Sequence, residues 1–232
     1  MSPTRDPFRH TPTSSPLRRR GFVGGVLAGA AWVALPALAS SRRSLPPMTD
    51  GPFYPPPSYR ARSVDWDADL TTVAGRAADG QPRPRAAGEH LDLYGPVVDV
   101  EGRIVDGAEV EIWQCDLFGS YRHPRGGGNQ VDDGFQGFGA TRSDARGIYR
   151  FRTIRPAPYP GRTPHIHVKI RHPSFGELTS QLFVAGDPGN PSDFLYRQLT
   201  PADRQFTDMV LQRAPAGSGL AWQVERSLVV GR

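Results

Sequence analysis

The sequence predicts an all-β fold, an antiparallel β-sandwich or barrel that is preceded by an extended arm and contains little helix. Short stretches of alternating apolar and polar residues recur from Leu91 onward, without the rhythm of strands separated by helices. Glycine (26) and proline (24) together exceed a fifth of the 232 residues, which favours a structure rich in turns. The length suits one domain with appendages.

The first element is a leader over residues 1–39. Residues 17–39 read LRRRGFVGGVLAGAAWVALPALA, in which three arginines precede an uncharged stretch that ends on an Ala-Leu-Ala cleavage signature. The Arg19-Arg20 pair resembles a twin-arginine export signal. An uncleaved membrane anchor is the alternative, but the many Gly and Ala residues and the A-x-A ending favour cleavage. We therefore expect a periplasmic or secreted protein with no stable membrane anchor after cleavage.

The leader also accounts for most of the charge. The formal net charge is +5, and residues 1–39 contain five Arg and one Asp, so about +1 remains for the rest of the chain. A nucleic-acid partner, which a basic protein would suggest, therefore loses its main support. Cys115 is the single cysteine, so an exported domain would gain its stability from a core or a bound metal, without a disulfide within the chain.

An extended arm over residues 40–90 is expected to lie on a globular domain over residues 91–232. The arm is rich in Pro, Arg and Gly and shows no sustained period. Its stretch DGPFYPPPSYR can form neither a helix nor a central strand, because proline removes backbone donors and fixes φ.

Period-two alternation in the domain predicts a series of short strands, and one helix follows them. The strands are predicted over residues 91–100, 108–115, 147–154, 165–170, 180–186 and 220–230. Residues 200–214 predict a single helix, with Thr200 as its N-cap and Pro201 at its first position.

The stretch HIHVKI places His165 and His167 on one face of a strand, because residues i and i+2 point the same way. Ile166, Val168 and Ile170 then point into the core. Two imidazoles about 6–7 Å apart along the strand can close on one metal ion. A structural or surface role is the alternative for such a pair.

Other candidate ligands for a metal at this pair are two tyrosines. Cys115 is single, which excludes a thiolate cluster, and residues 153–170 contain no carboxylate for a two-His-one-carboxylate site. Tyr159 lies six residues before His165, and Tyr121 lies just past a predicted strand end. Phenolate is a hard oxygen donor that suits ferric iron, and two phenolates with a hydroxide would balance its three charges in a buried site.

Three segments resemble the intradiol ring-cleavage dioxygenases, non-haem Fe(III) enzymes that include the protocatechuate and catechol dioxygenases. The segments are LYGPVVDVEGRIVDGAEVEIWQCDLFGSYRHP, GFGATRSDARGIYRFRTIRPAPYPGRTPHIHVKI and SQLFVAGD. The earlier TDGPFYPP is similar to the N-terminal arm of that family. The resemblance covers about residues 49–230.

The resemblance implies a prealbumin-like Greek-key β-sandwich and an Fe(III) cofactor. The implied iron ligands are Tyr121, Tyr159, His165 and His167. Arg162 is implied to stabilise negative charge on the substrate ring, Gln181 to orient the ring, and Tyr159 to serve also as a base. The implied reaction inserts O2 into the bond between the two hydroxylated carbons of a catechol-type aromatic and gives a muconate-type diacid.

The segment from Tyr159 to His165 is shorter than in the protocatechuate enzymes, which affects the rim of the substrate site more than the chemistry. The helical dimerisation segment of catechol-preferring relatives is not found in the sequence. One chain contains all four ligands, so a second type of subunit is not required, and a homo-oligomer is compatible with this.

Two alternatives stand: a periplasmic β-sandwich module that binds a metal or carbohydrate without oxygenase activity, and a transthyretin-like hydrolase that needs no iron.

Overall fold

The computed structural model describes residues 42–61, 65–75, 79–126 and 128–231, and the leader predicted over residues 1–39 lies outside these ranges. Most of the regular structure in the described ranges is strand. The strands are β1 (His90–Asp99), β2 (Glu109–Trp113), β3 (Phe138–Arg142), β4 (Ile148–Ile154), β5 (His165–His172), β6 (Gly176–Val184), β7 (Asp208–Met209), β8 (Gln212–Arg213), β9 (Trp222–Glu225) and β10 (Leu228–Val230). The helices are α1 (Pro57–Arg60) and α2 (Pro201–Thr207).

The strands form two sheets whose apolar sides enclose one core. In the first sheet, β1 pairs with β4 on one side and with β9 and then β10 on the other, and β8 pairs with β9. The second sheet has the order β3-β2-β5-β6-β7. Leu93 and Phe151 of the first sheet and Ile112 and Ile166 of the second belong to the same buried cluster. The predicted β-sandwich is therefore confirmed.

The alternation of residues in β5 decides which side chains the core receives. Ile166, Val168 and Ile170 are buried in the cluster between the sheets, as the sequence predicts. Burial of each such side chain stabilises the fold by about 1.5–3 kcal/mol. His165 and His167 consequently lie on the opposite face of the second sheet.

The sheets are mixed, because β1 pairs in parallel with β9 and β10, and β6 pairs in parallel with β7. The stretch 220–230, predicted as one strand, forms β9 and β10 with a break at Arg226. Gly95 of β1 lies opposite this break, and a side chain there would overlap the carbonyl oxygen of Arg226. The Tyr149 hydroxyl donates to the same carbonyl at 2.8 Å, which holds the break in place.

The helix predicted over residues 200–214 is only half as long as expected. Its start is as predicted, with Thr200 as N-cap in a capping box with Asp203, and Pro201 at the first position. It ends at Thr207 because β7 follows and adds to the edge of β6, where Met209 enters the core. Within the described ranges, no helix is long and apolar enough to span a bilayer.

The described part of the arm bonds to β10 and β4 of the first sheet and to β6 of the second. Backbone bonds join Leu45 to Val229 at 2.8 Å and Met48 to Thr179 at 2.8 Å, and Leu45 is buried in the core cluster. The next residues of the arm, up to Tyr54, cover the face of the sheet that carries the histidine pair.

Candidate metal centre

The histidine pair lies at the start of β5 and is almost entirely buried. His165 is 1% exposed and His167 is 3% exposed, although their side chains point away from the apolar core between the sheets. Their Nε2 atoms are 3.2 Å apart. The strand therefore turns two ring nitrogens toward one point beneath the arm.

Each imidazole is oriented by a different neighbour. His165 Nδ1 lies 2.7 Å from the carbonyl oxygen of Thr163, to which it donates, so the neutral ring keeps a free lone pair on Nε2. The His167 ring stacks on Trp113, its direct partner in β2, with centroids 4.7 Å apart and planes at 11°. His167 Nδ1 has no hydrogen-bond partner among the described residues, so the stacking contact orients this ring.

Two tyrosines complete the cluster. The Tyr121 ring centroid is 6.2 Å from that of His167, the Tyr159 centroid is 5.5 Å from that of His165, and the tyrosine centroids are 5.6 Å apart. The buried Tyr121 hydroxyl lacks a partner of hydrogen-bonding geometry among the described residues. Phe53 of the arm stacks on Tyr121 with centroids 4.6 Å apart and closes this side of the cluster.

Both tyrosines are placed by short loops with specific supports. Tyr121 follows a loop around buried Asp116, whose carboxylate accepts from the backbone N–H groups of Phe118 and Ser120 at 2.9 Å each. Tyr159 begins a tight turn that closes on Arg162 by two backbone bonds, and Gly161 adopts φ +80° within it. A glycine suits that position because other residues rarely adopt positive φ.

Arg162 and Gln181 lie beside the same cluster. The Arg162 guanidinium donates to the Tyr159 hydroxyl at 3.2 Å, to Gln181 Oε1 at 2.5 Å and to Asp193 Oδ2 at 2.8 Å. Gln181 on β6 is the direct cross-strand partner of His167. The structure thus brings all six residues singled out in the sequence into one site: Tyr121, Tyr159, Arg162, His165, His167 and Gln181.

The surroundings keep the four ring side chains neutral. Burial, together with the Arg162 guanidinium, lowers the pKa of His165 to about 4. Burial, then His165 and Arg162, lower the pKa of His167 well below its ordinary value. Burial raises the pKa of Tyr121 well above its ordinary value, and Cys115 and Tyr159 add to the rise. Burial also raises the pKa of Tyr159, against the effect of Arg162.

These features fit a metal cation. The lone pair of His165 Nε2 faces His167 Nε2 at 3.2 Å, so the two rings can share one proton or, in its place, bind one cation. A buried phenol oxygen without a partner is costly and would be satisfied as a phenolate ligand. Across the described ranges, no three His, Cys, Asp or Glu side chains form a metal-binding group, and tyrosine rings lie next to the histidine pair.

The sequence did not single out Phe53, the stacking role of Trp113, or Asp193. Phe53 lies in TDGPFYPP, a stretch that had been assigned only to the arm. Trp113 is buried and stacks on His167, a site residue. Asp193 is 31 residues from Arg162 in the chain, and no local pattern marks it.

Comparison with protein families gives a match to the model described as Dioxygenase, over residues 57–223. The chain is 32% identical to the protocatechuate 3,4-dioxygenase beta chain of Burkholderia cepacia, over 73% of this chain and 74% of that one. It is 35% identical to the catechol 1,2-dioxygenase of Acinetobacter baylyi, over 47% of this chain and 40% of that one. The chain thus spans most of the first relative but less than half of the second.

Solved structures with the same fold include the dioxygenase domain of a dioxygenase–carbohydrate-binding fusion from Streptomyces sp. SirexAA-E. The TM-score is 0.59 at 26% identity, covering 82% of this chain and 99% of that one. The fold also matches 3-chlorocatechol 1,2-dioxygenase from Rhodococcus opacus 1CP, with a TM-score of 0.58 at 23% identity, covering 84% and 75% of the two chains.

Proposed function

Because the chain belongs to the intradiol ring-cleavage dioxygenase family, we propose that it uses non-haem Fe(III) to cleave a catechol-type aromatic between its two hydroxylated carbons. Both atoms of O2 enter the product, a muconate-type diacid. The proposal rests on one observation: the rings of two tyrosines and two neutral histidines are neighbours, with centroids 4.9–6.2 Å apart, beside a guanidinium that donates to the Tyr159 hydroxyl. The relatives named for protocatechuate and catechol support the substrate class, an aromatic ortho-diol.

Tyr121, Tyr159, His165 and His167 would hold the iron. Bound there, ferric iron would supply Lewis acidity and a template for the two substrate oxygens. The chain contributes two phenolate charges and two neutral nitrogens, so the metal's charge is largely compensated within the protein. Phe53 of the arm stacks on Tyr121 and Trp113 stacks on His167, so aromatic rings cover two sides of the site.

Tyr159 is the residue best placed to accept a substrate proton. It is only partly buried, whereas Tyr121 is fully buried under Phe53. A diol that binds through both oxygens loses two hydroxyl protons; the Tyr159 oxygen would take one and the hydroxide bound with the iron the other.

Arg162 and Gln181 would act on the aromatic ring of the substrate. The guanidinium is fixed by hydrogen bonds before any substrate arrives, so its charge needs no reorganisation during the reaction. It would stabilise negative charge that develops on the ring, and Gln181 beside it would orient the ring.

Metal analysis and oxygen uptake test the proposal directly. Purified protein should carry about one iron per chain and be red-brown from phenolate-to-iron charge transfer. Oxygen-electrode assays with catechol, protocatechuate and hydroxyquinol should show uptake with at least one diol and identify the preferred ring substituents. A fully metallated but colourless protein, or one that binds metal and consumes no O2, would refute the proposal in favour of a metal-binding module.

Paired substitutions test the individual residues. Tyr159→Phe and His165→Ala should abolish oxygen uptake. Tyr94→Phe removes a hydroxyl from β1 beside Arg150, and His172→Ala removes the imidazole beside Ser174 at the far end of β5. Both controls should retain uptake, and full turnover by Tyr159→Phe or His165→Ala would show that the ligand assignment is wrong.

We also propose that the protein is exported through its leader, on the evidence of the arginine pair and the Ala-Leu-Ala signature in residues 17–39. The N-terminus of mature protein isolated from its native compartment should lie just after Ala39. A mature chain that still starts near Met1 would contradict this proposal.

A further inference from the structure

Asp193 is a buried acidic residue beside the candidate metal centre. It is 1% exposed and follows a 3₁₀ turn over Asn190–Ser192. Its Oδ1 accepts from the backbone N–H groups of Leu195 at 2.8 Å and Tyr196 at 3.0 Å. Its Oδ2 accepts from Arg162 Nε at 2.8 Å and from the backbone N–H of Thr163 at 2.9 Å. Four bonds therefore fix the carboxylate.

These bonds make Asp193 the anchor of the Arg162 side chain. The Arg162 side chain is 8% exposed, and its guanidinium uses all three nitrogens, with Nε on Asp193, Nη1 on the Tyr159 hydroxyl and Nη2 on Gln181. Asp193 provides the only carboxylate within salt-bridge distance of Arg162 among the described residues. The other two partners are neutral, and one of them is the proposed proton acceptor.

Asp193 also fixes the backbone from which Arg162 extends. Its Oδ2 binds the N–H of Thr163, and the Thr163 hydroxyl donates to Asn190 Oδ1 at 2.8 Å. Both the guanidinium and the next peptide group are therefore tied to one short segment, 190–193. A displacement of this carboxylate would move the charge that faces the substrate.

We propose that Asp193 is a positioning residue for catalysis, which holds the Arg162 guanidinium in its place beside Tyr159 and Gln181. The inference rests on the proposed role of Arg162 in ring cleavage. A misplacement of about 1 Å in such a group can cost about 100-fold in rate. Removal of the carboxylate should therefore lower kcat while the diol still binds.

Kinetics of Asp193→Asn, Arg162→Gln and the combined variant test the proposal. We expect Asp193→Asn to lower kcat by about 100-fold with KM within about threefold of the wild type, and to have little further effect on kcat in the Arg162→Gln background. The matched control is Asp92→Asn, which removes another buried carboxylate paired with an arginine, Arg150, on β1 and β4. It should leave both constants within about twofold of the wild type.

Thermal unfolding of the iron-free proteins gives a second readout. Asp193→Asn leaves a buried guanidinium without its carboxylate and should lower the midpoint by about 10 °C. The combined variant removes both charges and should melt above Asp193→Asn. If Asp193→Asn does not fold, the Arg162→Gln and combined variants still allow the comparison of kcat.

The outcomes separate the two proposals. A wild-type protein that consumes no O2 with any diol refutes the proposed function. Wild-type activity with independent, multiplicative losses in kcat for the two substitutions overturns the role of Asp193. If the midpoint of the combined variant falls by the sum of the falls in the two single variants, the role of Asp193 is overturned as well.

Discussion

The outer face of β5 has two halves that use buried polar groups in opposite ways. His165 and His167, at its start, are neutral rings with lone pairs and one ring nitrogen uncommitted. Lys169 and Arg171, two and four residues further on the same face, are cations tied to carboxylates. Both halves belong to β5, and the arm covers both. We call the histidine half unpartnered, because among the described residues no carboxylate lies within salt-bridge distance of its rings, and we call the other half paired. Compensated charges indicate a structural role, whereas buried neutral rings whose nitrogens face each other indicate a site.

The paired half is built around Glu111 on β2. Its carboxylate is 1% exposed and contacts the guanidinium groups of Arg60 and Arg171. The Tyr54 hydroxyl donates to Glu111 Oε2 at 2.7 Å, and Arg171 donates to the same hydroxyl at 3.0 Å. Lys169 binds Asp50 of the arm at 2.8 Å. This network fastens the arm over the sheet, next to the half that carries the histidines.

The largest expected effect is a loss of iron and of oxygen uptake when a residue of the unpartnered half is replaced. His167→Phe keeps a ring to stack on Trp113 and removes the buried nitrogens, so iron should be lost and oxygen uptake should fall by more than about 100-fold. The free energy of unfolding of the iron-free protein should stay within about 1.5 kcal/mol of the wild type. Iron content, oxygen uptake and urea unfolding measure the three quantities.

The matched substitution in the paired half is Lys169→Met, which keeps the apolar stem and removes the charge. It should lower stability and leave iron content and kcat close to those of the wild type. If Lys169→Met lost iron as His167→Phe does, the two halves would not be functionally distinct.

A smaller effect, on the free energy of unfolding alone, is expected from a substitution of Glu111 in the paired half. Glu111→Gln leaves Arg60 and Arg171 without their buried carboxylate, and we expect unfolding to become easier by about 2–3 kcal/mol, since both cations are partly exposed. Iron content should not change. The control Glu101→Gln breaks an exposed pair with Arg103 and should change stability by less than about 1 kcal/mol. Equal losses for the two variants would contradict the structural role of Glu111.

The contribution of Glu111 should also depend on pH. Burial raises its pKa, but hydrogen bonds from Tyr54 and Arg171 and the charges of Arg171 and Arg60 outweigh this and hold the pKa below its ordinary 4.5. A carboxylate with a lowered pKa adds stability above its unfolded-state pKa and loses it as the pH falls through the folded-state value.

The stability difference between the wild type and Glu111→Gln should therefore be constant near neutral pH and shrink below about pH 4.5. Urea unfolding of both proteins at pH 7 and at about pH 3.5 measures it. A difference that grows on acidification would mean that the carboxylate is not stabilised as an anion in the folded protein.

Local alternation was enough to predict the unpartnered half of β5 but not its surroundings. Period two fixes the face of His165 and His167, and the tyrosines lie in segments that the family resemblance covers. Asp193 and the parallel strand β7 depend on contacts between distant parts of the chain, so no local pattern reveals them. β3 was not predicted because FGATR is short and contains a glycine at its second position, and it forms a strand through pairing with β2.

The smallest expected effect is a change in stability when Tyr54 in the paired half loses its hydroxyl but keeps its ring. Tyr54→Phe retains the ring, which lies edge-on to Trp113 with centroids 4.8 Å apart, and removes the hydroxyl between Glu111 and Arg171. We expect a loss of about 1 kcal/mol in the free energy of unfolding, because the ion pair persists without its bridging hydroxyl. Tyr94→Phe on β1 is the control and should change stability by less. Since Trp113 still stacks on His167, iron content should be unaltered in Tyr54→Phe. A loss of iron there would show that the hydroxyl network, and not the ring stack alone, orients the histidine pair.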